Sequence, residues 1–463
     1  MPASIRKKRA APGLVLGLAI LAWAGGSPPA RAENLSLTLP QAQAMARQAL
    51  AQKRPKLAYS ISKELIEADP RNGHAHYTQA LAFAQVDAYG WGLKSARRAF
   101  YSAGNDLQKY EAAQLASQLA FLDERLTSSQ LWLRRAVQHA PTEGARDETI
   151  RAFRTVRARN PLNFNIKLSV TPSDNVNNGS NSPYNIIDGS PLVGTLSPSA
   201  QAIPGTVATG DLRLSYRLRQ SQTSLTRLTG RFYTRQVRFN NPVAGLSASD
   251  LGTARAEAGI AHAFAGRGED SQWELGLAGG RTWSGGDPYY DFARASVQRR
   301  QKLSENLYLS LGTSVEEQLD ETVPKSDATQ YDAFAQLSYT LPKGGRLGAY
   351  VNYRNVDTNG TNRAYSQWTG VVSYTMGQQI GPAVMTFSLG KSVVDYDRYS
   401  VLLPVPGGRN DDSVFGGVTA SFNDWGYMGF IPTVSFNAGK SRSNISRFDV
   451  DETSLSLGVR SEF

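Results

Sequence analysis

The chain has 463 residues, no cysteine, four histidines and a formal charge of +11. That length suits two domains, and the lack of cysteine excludes disulfides, thiolate metal sites, a cysteine nucleophile and a lipid anchor of its own. His74, His76, His139 and His262 have no carboxylate cluster beside them, so neither a metal nor a cofactor is expected.

The N-terminus reads as an address. Arg6, Lys7, Lys8, Arg9 and Arg31 carry five positive charges with no acid among them, which leaves +6 for the chain from Glu33 onward. That remainder is only mildly basic and implies no nucleic-acid partner. The basic run precedes a short apolar core, Gly13 to Ala24, and then Ala30-Arg31-Ala32. This is the pattern of a secretory signal peptide over residues 1–32, with a mature start at Glu33. The apolar core is too short for a membrane anchor. Further along there is no run of eighteen apolar residues, so no transmembrane helix is expected. Barrel strands are only half apolar and would escape a hydropathy search.

Residues 33–160 show helical periodicity and are rich in Ala, Leu, Gln and Arg, all good helix formers. Helices are predicted near 40–53, 55–68, 73–87, 90–103, 107–124, 127–140 and 145–158. Their pairing suggests repeats of about 34 residues. Ala58 and Ala68-Asp69-Pro70 match a small second-helix residue and a common ending of tetratricopeptide repeats. Ala80-Leu81-Ala82-Phe83, Ala96 and Ala99, and Ala136 with Pro141 extend the pattern. The expected domain is a periplasmic tetratricopeptide-like solenoid with a groove for a peptide or protein. A plain helical bundle that serves as scaffold or plug is the alternative.

After Pro161 the period changes to two. Fourteen strands are predicted, near 163–171, 208–219, 223–238, 251–265, 270–284, 289–302, 305–318, 328–341, 345–357, 364–376, 380–395, 411–423, 426–440 and 449–463. Leu212, Leu214, Tyr216 and Leu218 alternate with Arg213, Ser215, Arg217 and Arg219. The last strand puts Thr453, Leu455, Leu457, Val459 and Phe463 on one face and ends on the aromatic residue. Every second connection is short: 220–222, 266–269, 302–304, 342–344, 377–379 and 423–425. The intervening ones, 172–208 above all, are mostly longer; the one at 285–288 breaks the rule. Short periplasmic turns and long outer loops are the habit of outer-membrane barrels. The fold class is therefore α+β multidomain: an N-terminal α-helical solenoid followed, at 161–463, by a transmembrane antiparallel β-barrel of about fourteen strands. The expected location is the outer membrane, in contact with its lipid, with the helical domain in the periplasm.

The inward face of such a barrel carries its function. Arg213, Arg217, Arg219, Arg227, Arg231 and Arg235 are spaced by two or four residues and are predicted to form a basic lumen wall. Arg255, Arg281, Arg294, Arg346 and Arg354 extend it, unless Asp332, Glu274 and Glu316 pair with it and neutralise it. Catalysis is not expected. Gly390-Lys391-Ser392 resembles the end of a phosphate loop, but Met385 stands where that motif needs glycine. His262 is the one histidine of the β region, which leaves no Ser/His/acid grouping.

The junction carries the most telling residues. Asn163-Phe164-Asn165-Ile166-Lys167-Leu168-Ser169-Val170 leads into Thr171-Pro172-Ser173-Asp174-Asn175-Val176-Asn177-Asn178. A strand followed by Asp174, Asn175, Val176 and Asn177 resembles the opening of the barrel in the surface lipoprotein assembly modifiers, known as Slam. Phe448 to Phe463 resembles that family's last strand. The resemblance implies an outer-membrane translocon whose passenger is a surface lipoprotein or a related secreted protein. It further implies that the periplasmic repeats engage the passenger or its chaperone. Two other readings are a polysaccharide-export porin, which usually has more repeats and a wider barrel, and a passive outer-membrane channel or receptor.

Overall fold

The computed structural model describes residues 37–188, 193–266, 270–321, 326–401 and 403–461. The expected signal peptide and the closing Phe463 lie outside these residues. Two compact units divide the chain between Asn160 and Pro161.

Among the described residues the first unit has seven helices: α1 (Leu39–Ala51), α2 (Pro55–Ala68), α3 (Gly73–Ala84), α4 (Tyr89–Tyr101), α5 (Asp106–Leu122), α6 (Leu126–Gln138) and α7 (Glu143–Arg159). Their starts are marked by local chemistry. Pro55 opens α2, where its missing N–H costs nothing. Asn72, Asn105 and Thr142 cap α3, α5 and α7 by accepting from Ala75, Gln108 and Ala145. Three turns share one geometry. Lys53, Asp87 and Glu124 are left-handed, with φ of 53°, 56° and 57°. The next residue in each, Arg54, Ala88 or Arg125, donates to a carbonyl five residues back, that of Ala49, Phe83 or Ala120. Each is a Schellman-type helix end. The left-handed residues recur at steps of 34 and 37, so α1–α2, α3–α4 and α5–α6 are equivalent pairs.

Small side chains let these helices approach closely. Ala58, Ala80, Ala96, Ala113, Ala116 and Ala136 are wholly buried. Phe100, Leu119 and Trp132 fill the space between α3 and α6.

The second unit is a closed antiparallel barrel. Its strands are β1 (Leu162–Ser173), β4 (Gly205–Gln220), β5 (Ser224–Phe239), β6 (Thr253–Ala265), β7 (Ser271–Ser284), β8 (Asp287–Ser304), β9 (Leu307–Asp320), β10 (Ala328–Thr340), β11 (Arg346–Thr358), β12 (Tyr365–Thr375), β13 (Val384–Tyr396), β14 (Arg409–Ser421), β15 (Phe430–Ser443) and β16 (Val450–Ser461). A small hairpin, β2 (Tyr184–Ile186) and β3 (Val193–Thr195), belongs to the first long loop. Consecutive barrel strands pair throughout, and β1 joins β16 to close the ring of fourteen. Closure leaves no sheet edge, the condition for a sheet to sit in hydrocarbon.

One face of the sheet carries exposed apolar side chains on strand after strand. Leu168, Val170, Leu228, Phe232, Leu277, Val372, Leu389 and Leu457 all lie on it, each between 46 % and 62 % exposed. A soluble sandwich would bury such side chains; a barrel in lipid presents them.

The connections differ from the expectation in three places. The connection at 285–288 is a two-residue hairpin, Gly285-Gly286, with φ of +63° and +98°. Both positions need the left-handed backbone that glycine adopts freely. The turn expected at 377–379 runs from 376 to 383, because Ile380 and Ala383 form a bridge of their own. The strand expected from 426 starts at Phe430, after a 3-10 turn at Asn423–Trp425.

Candidate functional site

The inner face is set by register. Arg213 lies opposite Arg231, and Arg217 opposite Arg227, so these four share a face. Arg235 is on it too, four residues from Arg231. Arg219 is not. A bulge between Arg217 and Arg219 places Arg219 opposite Thr226, on the other face of β5 from Arg227. Arg281 also leaves the expected wall. It pairs with Ala256 and Asp291 on the side that carries Leu277, and bonds Asp291 at 2.6 Å and Glu321 at 3.1 Å. Arg255, Arg294 and Arg354 face inward, and Arg346 shares the face of Arg354.

Arg213, Arg227, Arg231, Arg255, Arg294 and Arg354 are paired with acids. Arg231 and Arg213 both bond Asp211, at 3.0 Å and 3.1 Å. Arg227 bonds Glu274 at 2.7 Å, and Arg354 bonds Asp332 at 2.9 Å. Arg217 donates to Gln220 at 2.6 Å. The centre of the wall is a closed quartet. Arg255 bonds Glu316 at 2.6 Å and approaches Glu257 at 3.8 Å; Arg294 bonds Glu257 at 2.6 Å and Glu316 at 3.4 Å. Two cations and two anions cancel, and the Glu316 side chain is only 4 % exposed.

The quartet depends on what β7 lacks. Glu257 sits opposite Gly280, and Arg294 opposite Ala278. With Gly276, these give β7 an inner face almost without side chains. Residues of β6 and β8 therefore meet across it. Phe292 fills part of the gap over Gly280, and the Arg255 guanidinium lies 3.6 Å from its ring centroid. Stacking and pairing together hold Arg255 in one orientation. Beside the quartet is a polar niche of about 430 Å³, lined in part by Arg231, Glu274, Gln298, Gln330 and Asp332.

The segment Asp174 to Asn177 has a different job. The Asp174 carboxylate accepts from the Thr453 backbone N–H at 3.0 Å and from its hydroxyl at 2.7 Å. The Asn175 side chain donates to the Gly179 carbonyl and accepts from the Gly179 N–H, both at 2.8 Å. Asn177 accepts from the Ile203 N–H and donates to the carbonyls of Ser199 and Gln201. Val176 is 2 % exposed, and its carbonyl accepts from Arg235 at 2.7 Å. Arg235 also donates to the Leu251 carbonyl, so it anchors loops and spends its donors on neutral oxygens. The segment thus folds the first long loop onto the rim of the barrel.

The same rim holds a second anchor that the sequence reading missed. Arg409 bonds Asp411 at 2.6 Å, lies 3.2 Å from the Phe448 ring centroid and 4.6 Å from that of Tyr396. It ties the loops before β14 and β16 together. No motif marks it; only its spacing of two from Asp411 on a strand hints at the pair.

Of the closing strand, Leu455 and Leu457 face outward, and Leu457 and Val459 pair with Val170 and Leu168. Lys391 of the phosphate-loop-like run bonds Asp412 at 2.8 Å on the outer face. Among the described residues no group of three or more His, Asp or Glu is placed to hold a metal ion.

A family model described as "Surface lipoprotein assembly modifier" matches residues 163–463. No curated protein matches the chain in sequence. Among solved structures, the outer membrane channel DcaP of Acinetobacter baumannii is 10% identical, with a TM-score of 0.39, and the match covers 65% of this chain and 97% of that one. OprB of Pseudomonas putida is 10% identical at a TM-score of 0.37, covering 69% and 96%. A loop-deletion mutant of OmpT, an outer membrane protein of Vibrio cholerae, is 10% identical at 0.35, covering 65% and 98%.

Proposed function

Because the chain belongs to the surface lipoprotein assembly modifier family, and is an outer-membrane barrel, we propose that it is a translocon for export and surface display of lipoproteins or related proteins. The observation that carries this reading is the family match across the whole barrel. The inner wall supports it. Six of its arginines are matched by acids at hydrogen-bond distance, so the lumen offers an exchangeable set of partners rather than one strong field. A passing chain can replace one partner of a pair at a time without stranding a charge. A polysaccharide porin would be expected to present an aromatic and acidic lumen instead.

In this reading the helical unit is tetratricopeptide-like, lies in the periplasm, and engages the passenger or its chaperone. Its three equivalent helix pairs suit a repeat that receives an extended segment. No nucleotide is needed; direction comes from passenger binding on one side and passenger folding on the other. Protease shaving of whole cells, with and without this gene, tests the reading. One lipoprotein should become protease-resistant on deletion while its total level holds. Unchanged shaving of every lipoprotein, with a fall in secreted polysaccharide, would replace it by the export-porin reading.

A further inference from the structure

The seam that closes the barrel is not built like its neighbours. β1 pairs with β4 at every residue from Leu162 to Ser173. On its other side, β1 pairs with β16 from Lys167–Arg460 to Val170–Leu457, passes over Thr171 and Pro172, and meets it again at Ser173–Ser454. Pro172 has no N–H to give the ladder. Where the backbone falls silent, side chains take over. Thr171 Oγ1 donates to Ser456 Oγ at 2.9 Å, and Ser173 Oγ to Glu452 Oε1 at 3.2 Å. Asp174 closes the sequence with its two bonds to Thr453. Beyond it, the Asn181 N–H reaches the Asp449 carbonyl and the Ser180 hydroxyl the Ser446 carbonyl.

The two faces of this seam differ from the rest of the wall. Inside, the middle of the seam is Ser169, Thr171, Ser456 and Gly458, hydroxyls and a bare backbone without a charge between them; the charges stand only at its ends, Lys167 opposite Arg460 at one and Glu452 at the other. Outside, Leu168, Val170, Leu455 and Leu457 form a smooth hydrocarbon surface, each about half exposed. An acyl chain that left the lumen through the Arg255 quartet would have to strip paired charges. Through the middle of this seam the side chains to be displaced, besides the short ladder itself, make only hydroxyl contacts, and it would meet leucine and valine at once.

We propose that the β1–β16 seam is the lateral exit by which an acylated passenger reaches the outer leaflet, and that Asp174 is the latch that holds it shut. This rests on the translocon reading above. The ligand class is a lipid acyl chain attached to protein. Asp174 is a positioning residue: it acts by holding β16 through Thr453 and touches no passenger.

Two arms test the proposal, and the absence of native cysteine leaves both clean. In the first, no passenger is present. The purified full chain carries spin labels at V170C and L457C in vesicles of outer-membrane lipid, with and without Asp174→Ala. The distance distribution should broaden to longer values in D174A and, to a lesser degree, in Thr453→Val, which removes only the hydroxyl. Unchanged distributions in both folded variants overturn the latch. In the second arm, cells carry V170C with L457C, directly opposed on the outer face at a separation a disulfide can span. The control is L337C with A349C, opposed in the same way between β10 and β11. Oxidation of the seam pair should lower surface display of the passenger at least tenfold, reduction should restore it, and the control pair should have no effect. Full display through a locked seam overturns the exit. If deletion of the gene itself leaves display unchanged, the exit falls with the translocon reading, while the spin-label arm still decides the latch.

Discussion

Glu316→Ala should destabilise the barrel more than any other single change in the lumen wall. Glu316 accepts from Arg255 at 2.6 Å and from Gln318 at 3.0 Å, and lies 3.4 Å from Arg294. Its removal leaves two guanidinium groups to share Glu257. Breaking a buried pair from one side costs about 3–5 kcal/mol. Arg255 and Arg294 keep 20 % and 28 % exposure, so lumen water takes up part of the loss. The lower end, about 3 kcal/mol, is therefore expected, which is roughly a hundredfold in the folding equilibrium. Glu316→Gln keeps the shape and a hydrogen-bonding oxygen and should cost about half as much. The double variant Arg255→Met/Glu316→Leu removes both charges and leaves Arg294 paired with Glu257; it should be within about 1 kcal/mol of the parent. Urea unfolding in lipid vesicles, followed by tryptophan fluorescence, measures all three. An E316A variant within about 0.5 kcal/mol of the parent, or a double variant as unstable as the single one, would show that the quartet is not held by charge pairing.

Two further outcomes follow from burial. His76 is 2 % exposed, its Nε2 is 3.0 Å from the Pro70 carbonyl, and among the described residues its Nδ1 has no partner. Burial holds its pKa below the ordinary 6.5, because a second N–H would find no acceptor, and Arg98 adds to the effect. The unfolded chain then binds the proton more readily, so the helical unit should lose stability as pH falls below about 6.5. In thermal melts of the full chain followed by helical circular dichroism, His76→Gln should flatten that pH slope; a slope unchanged by the substitution would contradict the assignment. On the lipid side, Leu457→Arg should cost about 2–4 kcal/mol in vesicle unfolding, whereas Ser456→Ala, one residue away on the inner face, should cost less than about 1 kcal/mol. Equal effects would mean that the faces are assigned the wrong way round.

The barrel was legible because its strands alternate and its connections sort by length. Leu212, Leu214 and Tyr216 against Arg213, Ser215 and Arg217 is a period no helix shares, and every predicted strand has a counterpart. Two wall residues were misplaced for different reasons. The bulge before Arg219 shifts the register by one residue, and nothing in Leu218-Arg219-Gln220 announces it. Arg281, in contrast, is an even number of residues from Trp273, Leu275 is on the same count, and Leu277 likewise; counting from those would have put it outside. The pairing partners Asp332, Glu274 and Glu316 could be suggested from the sequence, but the quartet could not. It depends on Gly276, Ala278 and Gly280 leaving room across β7, a relation between three strands. The helix pairs of the first unit were suggested by small residues such as Ala58 and Ala96, but the turns inside them were not. Those turns are left-handed at Lys53, Asp87 and Glu124, where the sequence offers none of the usual glycine.

In the proposed function a passenger crosses through the inside of this barrel. Tyr233 and Phe232 are adjacent residues on opposite faces of β5; Tyr233 lies opposite Arg255 on the inner face, and Phe232 is 47 % exposed on the outer one. A photo-crosslinking amino acid placed at each in turn, in cells caught during export, reports which face the passenger touches. Capture of a lipoprotein from position 233 and not from 232 is the predicted result. Capture from neither, in cells where display of that lipoprotein proceeds, would contradict it.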